Sequence, residues 1–219
     1  HELRTPLNSI IGFSSLLAQG MAGPLTGEQQ TEIEMINSAG RHLLSIISDL
    51  LDLSRIEAGR VAVDVAEFSA GDLLGEVAGI LKPLADRSGL DLQVHVPDRP
   101  VMMVTDRMKV KQILLNLGGN AIKFTAEGSV ELALDCDGDQ TVFTVRDTGR
   151  GIRPELMDRI FDSFTQGDIP VDEVPVGSGL GLSISREFAR LLGGDVNVES
   201  ELGSGSAFTL TLPALACTR

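Results

Sequence analysis

Apolar residues near the start of the chain recur at alternating spacings of four and three, and this repeat constrains the fold more than any other feature. After a stretch rich in glycine and proline at residues 20–29, the same repeat resumes. Such spacing is typical of helices that pack along a seam. We therefore predict an antiparallel helical hairpin over residues 1–60. The seam positions are Leu3, Leu7, Ile10, Ser14 and Leu17 in the first helix, then Ile36, Gly40, Leu43, Ile47, Leu50 and Ser54 in the second.

A single hairpin with a seam on each helix leaves part of its apolar surface uncovered. Pairing with a second copy into a four-helix bundle is the simplest way to bury that surface. The hairpin is therefore predicted to be a homodimer. Because Leu3 and Leu7 lie on the seam, His1 lies off the seam and is predicted to face outward.

The helical repeat stops near Gly59, and beyond this residue helix and strand patterns alternate. We predict helices that end near Gly89, that span residues 106–125 and that cover SISREFARLL, and strands over LDLQVHV, VELALD, TVFTVRD, DVNVES and SAFTLTLP. Hairpin-linked strands with interspersed helices indicate a mostly antiparallel sheet with helices on one face. The predicted fold class is therefore α+β, with residues 61–66 as a linker and 67–219 as a second domain.

Composition excludes some classes of protein. Against 31 acidic residues there are only 18 basic ones, which gives a net charge of −13 and argues against a nucleic-acid surface. No run approaches the roughly 18 apolar residues of a membrane helix. Cys136 and Cys217 lack metal-binding spacing, and we interpret them as free thiols in a reducing, cytoplasmic compartment. An anchor of the parent protein in the inner membrane would lie in segments outside this chain.

Three polar residues share one face of the helix predicted over 106–125. Asn116, Asn120 and Lys123 fall at i, i+4 and i+7, beside the apolar stripe of that helix. Amide oxygens suit a hard cation such as Mg²⁺, and an ammonium group suits a phosphate. An ordinary solvated helix face would give the same pattern, so this feature alone leaves both interpretations open.

Two glycine-containing stretches follow. In RDTGRGI, Asp147 precedes Gly149 and Gly151 at the end of a predicted strand, where a carboxylate could accept a hydrogen bond from an exocyclic amine such as that of adenine. In VGSGLGL, glycines precede a predicted helix, and bare amides at a helix N-terminus bind phosphate. The spacing matches neither the Rossmann nor the Walker A pattern. The polar segment between the two stretches, which contains Phe161 and Phe164, has the composition of a lid or of a long surface loop.

Taken together and in this order, these stretches resemble the sensor histidine kinases of two-component systems. HELRTPL resembles the H box, Asn116 to Thr125 the N box, Asp147 to Ile152 the G1 box, Phe161 to Phe164 the F box and Gly177 to Leu182 the G2 box. The resemblance covers essentially the whole chain. It implies a dimerisation and phosphoacceptor hairpin followed by an ATP-binding domain with the Bergerat fold.

The resemblance also implies an activity. His1 matches the phosphoacceptor of an ATP-dependent protein-histidine kinase, Glu2 its general base, and Thr5 the position that assists phosphatase activity in some members. The phosphoryl group would pass to an aspartate of a response-regulator receiver domain. In this family the first helix begins more than two turns before the histidine, so we expect activity to need helical residues ahead of His1.

The implied cofactors are ATP and Mg²⁺, with Asn120 as the metal ligand. The ATP-binding positions implied by the resemblance are Asn116, Asn120, Lys123, Asp147, Gly149, Gly151, Phe161, Phe164, Gly177, Ser178, Gly179, Leu180, Gly181 and Leu182. Two alternatives remain. ATPases of the same superfamily carry a water-activating Glu four residues before the metal-binding Asn, whereas this chain has Asn116 there, which favours transfer over hydrolysis. A degenerate nucleotide-binding scaffold is disfavoured because all the boxes are intact.

Overall fold

The computed structural model describes residues 2–163 and 179–213, and of Glu57 only the backbone. The chain divides into two compact units, His1–Ala58 and Gly59–Arg219. Four of the predicted site residues lie outside the described residues: His1, Phe164, Gly177 and Ser178.

The first unit is a helical hairpin, as the seam repeat predicts. Helix α1 spans Arg4–Ala18 and helix α2 spans Gly27–Glu57. A capping box starts α2, because Thr26 Oγ1 accepts from the Gln29 amide at 3.3 Å and Gln29 Oε1 accepts from the Thr26 amide at 3.0 Å. Two of the first orphan amides of the helix are thereby satisfied, which fixes where α2 begins.

A polar cluster and a close glycine contact set how α1 and α2 pair. The Asn37 amide donates to Ser14 Oγ at 2.8 Å, to Ser15 Oγ at 2.8 Å and to the Ile11 carbonyl at 3.0 Å. One turn further along α2, Gly40 packs so closely on Ile11 that an added Cβ would lie 2.9 Å from Ile11 Cγ1. Position 37 therefore meets position 14 and position 40 meets position 11, which is antiparallel pairing.

The seam is only partly covered within one chain. Leu7 and Ser14 are buried, whereas Leu3 is 65% exposed and Ile10 is 49% exposed. Exposed apolar side chains continue along α2 at Ile36 and Leu43. A single copy of the hairpin therefore leaves apolar surface in contact with water.

The second unit mixes helices and strands. Its elements are β1 (Ala66–Ser69), α3 (Ala70–Arg87), β2 (Asp91–His95), β3 (Met102–Thr105), α4 (Arg107–Phe124), β4 (Ser129–Asp137), β5 (Gln140–Asp147), α5 (Pro154–Met157), α6 (Gly181–Leu191), β6 (Asp195–Glu201) and β7 (Gly205–Pro213). Five of the strands form one sheet with the order β2-β4-β5-β7-β6. Strand β2 pairs parallel to β4, and all other neighbours in this sheet are antiparallel, so the prediction of a mostly antiparallel sheet is confirmed.

Helices α3, α4 and α6 cover one face of this sheet. Alternate residues of the central strands are buried, among them Leu132 on β4, Phe143 on β5 and Leu210 on β7. Ile113 and Leu117 of α4 are fully buried against them. This alternation is what a sheet with one covered face produces, and the α+β prediction is confirmed.

Some predictions differ from the structure. A separate two-stranded sheet, in which β1 pairs antiparallel with β3, is missing from the prediction. Met103 on β3 is buried, whereas Met102 points to the other side of the strand and is 39% exposed. The interpretation of the cysteines as free thiols is wrong for Cys136, which is disulfide-bonded. Among the described residues, no helix is long and apolar enough to span a membrane.

Candidate nucleotide-binding site

Helix α4 carries three of the predicted site residues on the edge of its buried stripe. Asn116, Asn120 and Lys123 are all partly exposed, while the stripe beside them is buried. Asp106 begins the helix, because its Oδ1 accepts from the amides of Met108 and Lys109, both at 3.1 Å. The helix thus presents two amides and an ammonium group next to the core.

Asn116 faces helix α6. Its Nδ2 donates to Ser185 Oγ at 2.8 Å, and Ser185 is buried. A Cβ added at Gly181, the first residue of α6, would lie 3.0 Å from Asn116 Cγ and 3.1 Å from its Nδ2. Gly181 therefore leaves the space that the Asn116 side chain occupies, and the two helices meet through this contact.

Asn120 lies one turn further along α4. Within residues 2–163 and 179–213 its side-chain amide has no hydrogen-bond partner. The same residues contain no cluster of three or more His, Cys, Asp or Glu that could hold a metal ion. A cation bound here would therefore rely on the neutral oxygen of Asn120, on water and on ligand phosphates, which is how Mg²⁺ is often held.

Asp147 ends strand β5 and is only 6% exposed. Burial raises the pKa of its carboxyl group, while the backbone amides of Gly149 and Ser206 act in the opposite direction. The Gly149 amide donates to Asp147 Oδ1 at 2.8 Å. In the described part of the chain no basic side chain pairs with this carboxylate. It is therefore a buried acceptor suited to a neutral donor such as an amino group.

The glycines after Asp147 are required by close backbone packing. A Cβ at Gly149 would lie 3.0 Å from the carbonyl carbon of Phe124. Gly151 has φ +69° and backs onto the carbonyl group of Glu201, whose carbon would lie 2.7 Å from an added Cβ. Both glycines therefore have a structural role in addition to any contact with a ligand.

Two cations lie against the ring of Phe124. Lys123 Nζ is 4.8 Å from the ring centroid, and Arg150 Cζ is 4.9 Å from it. Burial lowers the pKa of Lys123, and the neighbouring Arg150 lowers it further. Neither cation pairs with a carboxylate among the described residues. The uncompensated positive charge makes this side of the site attractive to an anion such as phosphate.

Phe161, the predicted first aromatic residue of the lid segment, is held by helix α6. Arg186 Cζ lies 4.6 Å from its ring centroid. The same guanidinium pairs with Asp195, with Nε 3.0 Å from Oδ1 and Nη2 3.2 Å from Oδ2. Arg186 therefore links the ring of Phe161 to Asp195 of β6.

The second glycine stretch is described only from Gly179 onward. Gly179 has φ +69°, a conformation that favours glycine. Leu180 is fully buried, and Gly181 and Leu182 are partly exposed at the start of α6. In the first unit, Glu2 and Thr5 are exposed near the start of α1.

Comparison with known proteins assigns the family. The family model described as "Histidine kinase-, DNA gyrase B-, and HSP90-like ATPase" matches residues 105–216, which is more than half of the chain. The model described as "His Kinase A (phospho-acceptor) domain" matches residues 1–59. The chain belongs to the sensor histidine kinases. The phosphoacceptor region and the ATP-binding region that the sequence resemblance implies are therefore both matched by histidine kinase family models.

Named histidine kinases align with nearly the whole chain. It is 41% identical to the circadian input-output histidine kinase CikA of Synechococcus elongatus, over 97% of this chain and 29% of that protein. It is 39% identical to the histidine protein kinase DivJ of Caulobacter vibrioides, over 98% of this chain and 36% of that protein. The chain thus spans about a third of the length of these curated relatives.

Solved histidine kinase structures share the fold. Full-length ShkA in complex with AMPPNP matches 100% of this chain and 45% of that chain, with a TM-score of 0.83 and 35% identity. The histidine kinase AdeS of Acinetobacter baumannii matches 98% of both chains with a TM-score of 0.69 at 22% identity, a likeness of fold alone.

Three residues near the kinase motifs are missing from the sequence-based prediction: Ser185, Arg150 and Arg186. Ser185 lies four residues after Gly181, so helical spacing could have placed the two on one face of α6. Arg150 lies between the two glycines of the G1 box, where only the position suggested a role. The contact of Arg186 with Phe161 joins residues far apart in the sequence and has no sequence signal.

Proposed function

We propose that this chain is the catalytic region of a protein-histidine kinase that phosphorylates His1 from ATP and passes the phosphoryl group to an aspartate of a response-regulator receiver domain. One observation carries most of the proposal. One face of α4 carries Asn116, Asn120 and Lys123, and Asn116 on this face packs against Gly181 of α6. The match of residues 1–59 to a phosphoacceptor domain adds to this.

The second unit would bind ATP. Asp147, a buried acceptor without a basic partner, is proposed to accept from the adenine amino group beside the turn of Gly149 and Gly151. Lys123 is proposed to contact phosphate, since neither its ammonium group nor the guanidinium group of its neighbour Arg150 pairs with a carboxylate among the described residues. Phe161 is proposed to flank the nucleotide.

The remaining ATP-binding positions are proposed from the G2 and F boxes. Gly179 and Gly181 would allow the chain to approach the phosphates, with Leu180 and Leu182 holding the start of α6. Phe164, Gly177 and Ser178 belong to the same proposed set, although they lie outside the described residues.

Asn120 is proposed as the protein ligand of Mg²⁺, with Asn116 as a polar partner near the phosphates. Magnesium-bound ATP supplies an electrophilic γ-phosphorus when it is present. The chain's own contribution is to position it, through the amides of α4. Asn116 stands where superfamily ATPases carry a Glu, so no carboxylate at this position can take a proton from water. Transfer to a side chain is therefore favoured over hydrolysis.

The imidazole of His1 is proposed as the nucleophile. One ring nitrogen forms a bond to phosphorus while the bond from phosphorus to the bridging oxygen of ADP breaks. Glu2 accepts a hydrogen bond from the other ring nitrogen, which makes the attacking nitrogen more nucleophilic. Thr5 is proposed to assist a phosphatase reaction on the regulator.

The partners follow from the same proposal. Residues 1–60 would form the dimerisation and phosphoacceptor hairpin, with 61–66 as linker and 67–219 as the ATP-binding domain. The exposed seam residues Leu3 and Ile10 support a homodimer, because a second hairpin would cover them. The region is proposed to be cytoplasmic.

Labelled ATP tests this proposal. The chain, carrying a helical extension before His1, is expected to take up the γ-phosphate in a form that is labile to acid and stable to alkali. His1→Gln should abolish the label, whereas the matched variant His42→Gln, on α2, should keep it. Label that persists in His1→Gln would refute the assignment of His1. Free phosphate without protein label would favour the superfamily ATPase instead.

A further inference from the structure

The segment that enters the second unit is held by few contacts of its own. Residues 59–65 have no regular secondary structure and precede strand β1. Val63 is 37% exposed, Val65 is 59% exposed, and Ala62 and Asp64 are exposed as well. Burial of side chains therefore does not fix the path of this segment.

Two hydrogen bonds to the start of helix α4 hold it instead. The Asp64 amide donates to Asp106 Oδ2 at 3.0 Å. Lys109 Nζ donates to the Ala62 carbonyl at 2.8 Å. Lys109 also forms an ion pair with Asp106 Oδ2. The Asp106 carboxylate therefore binds the Asp64 amide, while the ammonium group paired with it binds the Ala62 carbonyl.

The anchor is rigid and charged. Asp106 is 2% exposed, and its other oxygen, Oδ1, is occupied by the two amides that cap α4. Burial by itself would raise the pKa of Asp106, but the hydrogen bonds from Lys109 and from the Asp64 amide outweigh that effect and lower the pKa below its usual value. The carboxylate is therefore ionised at neutral pH, and hydrogen bonds to charged groups are the strong ones.

We propose that Asp106 and Lys109 are positioning residues for phosphoryl transfer, because they tie the linker to the helix that carries Asn116 and Asn120 and leave only residues 59–61 free. This role rests on the proposed kinase function. In this role, neither Asp106 nor Lys109 touches the nucleotide. They act by limiting how far the phosphoacceptor hairpin can stray from the ATP-binding unit.

The expected size of the effect follows from the length of free chain. Residues 59–61 reach about 10 Å when extended, whereas release of the anchor frees residues 59–65, which reach about 24 Å. Effective concentration across a flexible linker falls roughly as the −3/2 power of its length, so the transfer rate should fall about three- to fourfold.

Two variants separate this role from a purely structural one. Asp106→Asn keeps an oxygen that can cap α4 but replaces Oδ2 by an NH₂ group, which cannot accept from Asp64. Lys109→Met removes the ammonium group and leaves the cap intact. The matched control is Lys111→Met, on the same helix, whose ammonium group pairs with Glu76 of α3 and touches no linker residue. Arg107 still holds Glu76 in that control, at 2.6 Å.

The experiment measures three quantities on the chain with its helical extension. These are the rate of protein labelling at saturating ATP, the KM for ATP, and hydrogen exchange at the Asp64 amide. When Asp106→Asn and Lys109→Met are combined, so that both contacts are lost, we expect the labelling rate to fall about three- to fourfold, the KM to stay unchanged and exchange at Asp64 to accelerate. Each single variant keeps one of the two contacts and should lose less of the rate. Lys111→Met should match the wild type in all three.

Three outcomes would overturn the role. One is that both linker variants label as fast as Lys111→Met. Another is that the KM rises in step with the loss of rate, which would indicate damage to α4 itself. The third is that exchange at Asp64 is unchanged. A wild-type chain that takes no label refutes the proposed function and this role with it, whereas normal wild-type labelling with unaltered variants refutes the role alone.

Discussion

Replacing Gly181 by alanine should damage the nucleotide site through one side-chain collision. Gly181 begins α6 without a positive φ, so its backbone accepts alanine. The added Cβ, however, would lie 3.0 Å from Asn116 Cγ and closer still to Oδ1, whereas ordinary contacts begin near 3.4 Å. Asn116 must therefore move away by several tenths of an ångström or more.

That movement acts on the bond from Asn116 Nδ2 to Ser185 Oγ, which is 2.8 Å long. A buried hydrogen bond lost with its partner left unsatisfied costs about 1–3 kcal/mol. Since about 1.4 kcal/mol is a factor of ten in an equilibrium constant, we expect ATP to bind roughly tenfold more weakly if Asn116 contributes to its site. The midpoint of thermal unfolding should also fall.

Titration with a fluorescent ATP analogue and thermal unfolding measure both effects. Gly119→Ala is the control, because it adds the same methyl group on α4 where no atom lies within 4 Å. Ser185→Ala removes the hydrogen-bond acceptor without a collision, so adding it to Gly181→Ala should cost less than the two single changes together. Gly181→Ala that binds nucleotide and unfolds like the wild type would show that Asn116 does not depend on this space.

The other predictions concern the recognition of adenine by Asp147, its dependence on pH, and the glycines of helix α4. Asp147→Asn should weaken the binding of ATP by about 1.5–3 kcal/mol, the contribution of a hydrogen bond to a charged group. The binding of inosine triphosphate, which lacks the amino group, should weaken less. Competition titrations measure both, and equal losses would refute adenine recognition by Asp147. Because burial raises the pKa of Asp147, ATP affinity should fall as pH drops through that pKa, and Asp147→Asn should lack this dependence. The same raised pKa means that the buried, ionised carboxylate destabilises the fold at pH values above the pKa. This destabilisation disappears as the pH falls and the carboxyl group is protonated. Gly119→Ala should raise the free energy of unfolding by up to about 1 kcal/mol, while Gly118→Ala should lower it, because its Cβ would meet Leu81; denaturant titrations that rank them the other way would contradict this.

The sequence predicts elements best where local chemistry decides them. The sequence predicts a helix over residues 106–125, and α4 spans Arg107–Phe124, because the cap at Asp106 is a local signal. The sheet of β1 and β3 has no such local signal, because each strand has four residues and its partner lies far along the chain. Met102 and Met103 show the same limit, since only the strand pairing decides which of two neighbours is buried.

The site divides in the same way. The shared face of Asn116, Asn120 and Lys123 follows from helical spacing alone. The hydrogen bond from Asn116 to Ser185 does not, because it joins two residues that are 69 positions apart in the sequence. The glycine at position 118 is explained by packing inside the protein and not by contact with a ligand. It makes room for Leu81 of α3, which is a packing requirement.

The cluster around Asn37 has a mechanical consequence for the hairpin. Its amide bonds to Ser14, Ser15 and the Ile11 carbonyl are satisfied in one register only. If α1 slid along α2 by one turn, about 5.4 Å, the Asn37 amide nitrogen would lose its three acceptors on α1, and Gly40 would no longer face Ile11. A force applied along α1 should therefore carry α2 with it, so that the two helices of one chain tilt or turn as a single lever.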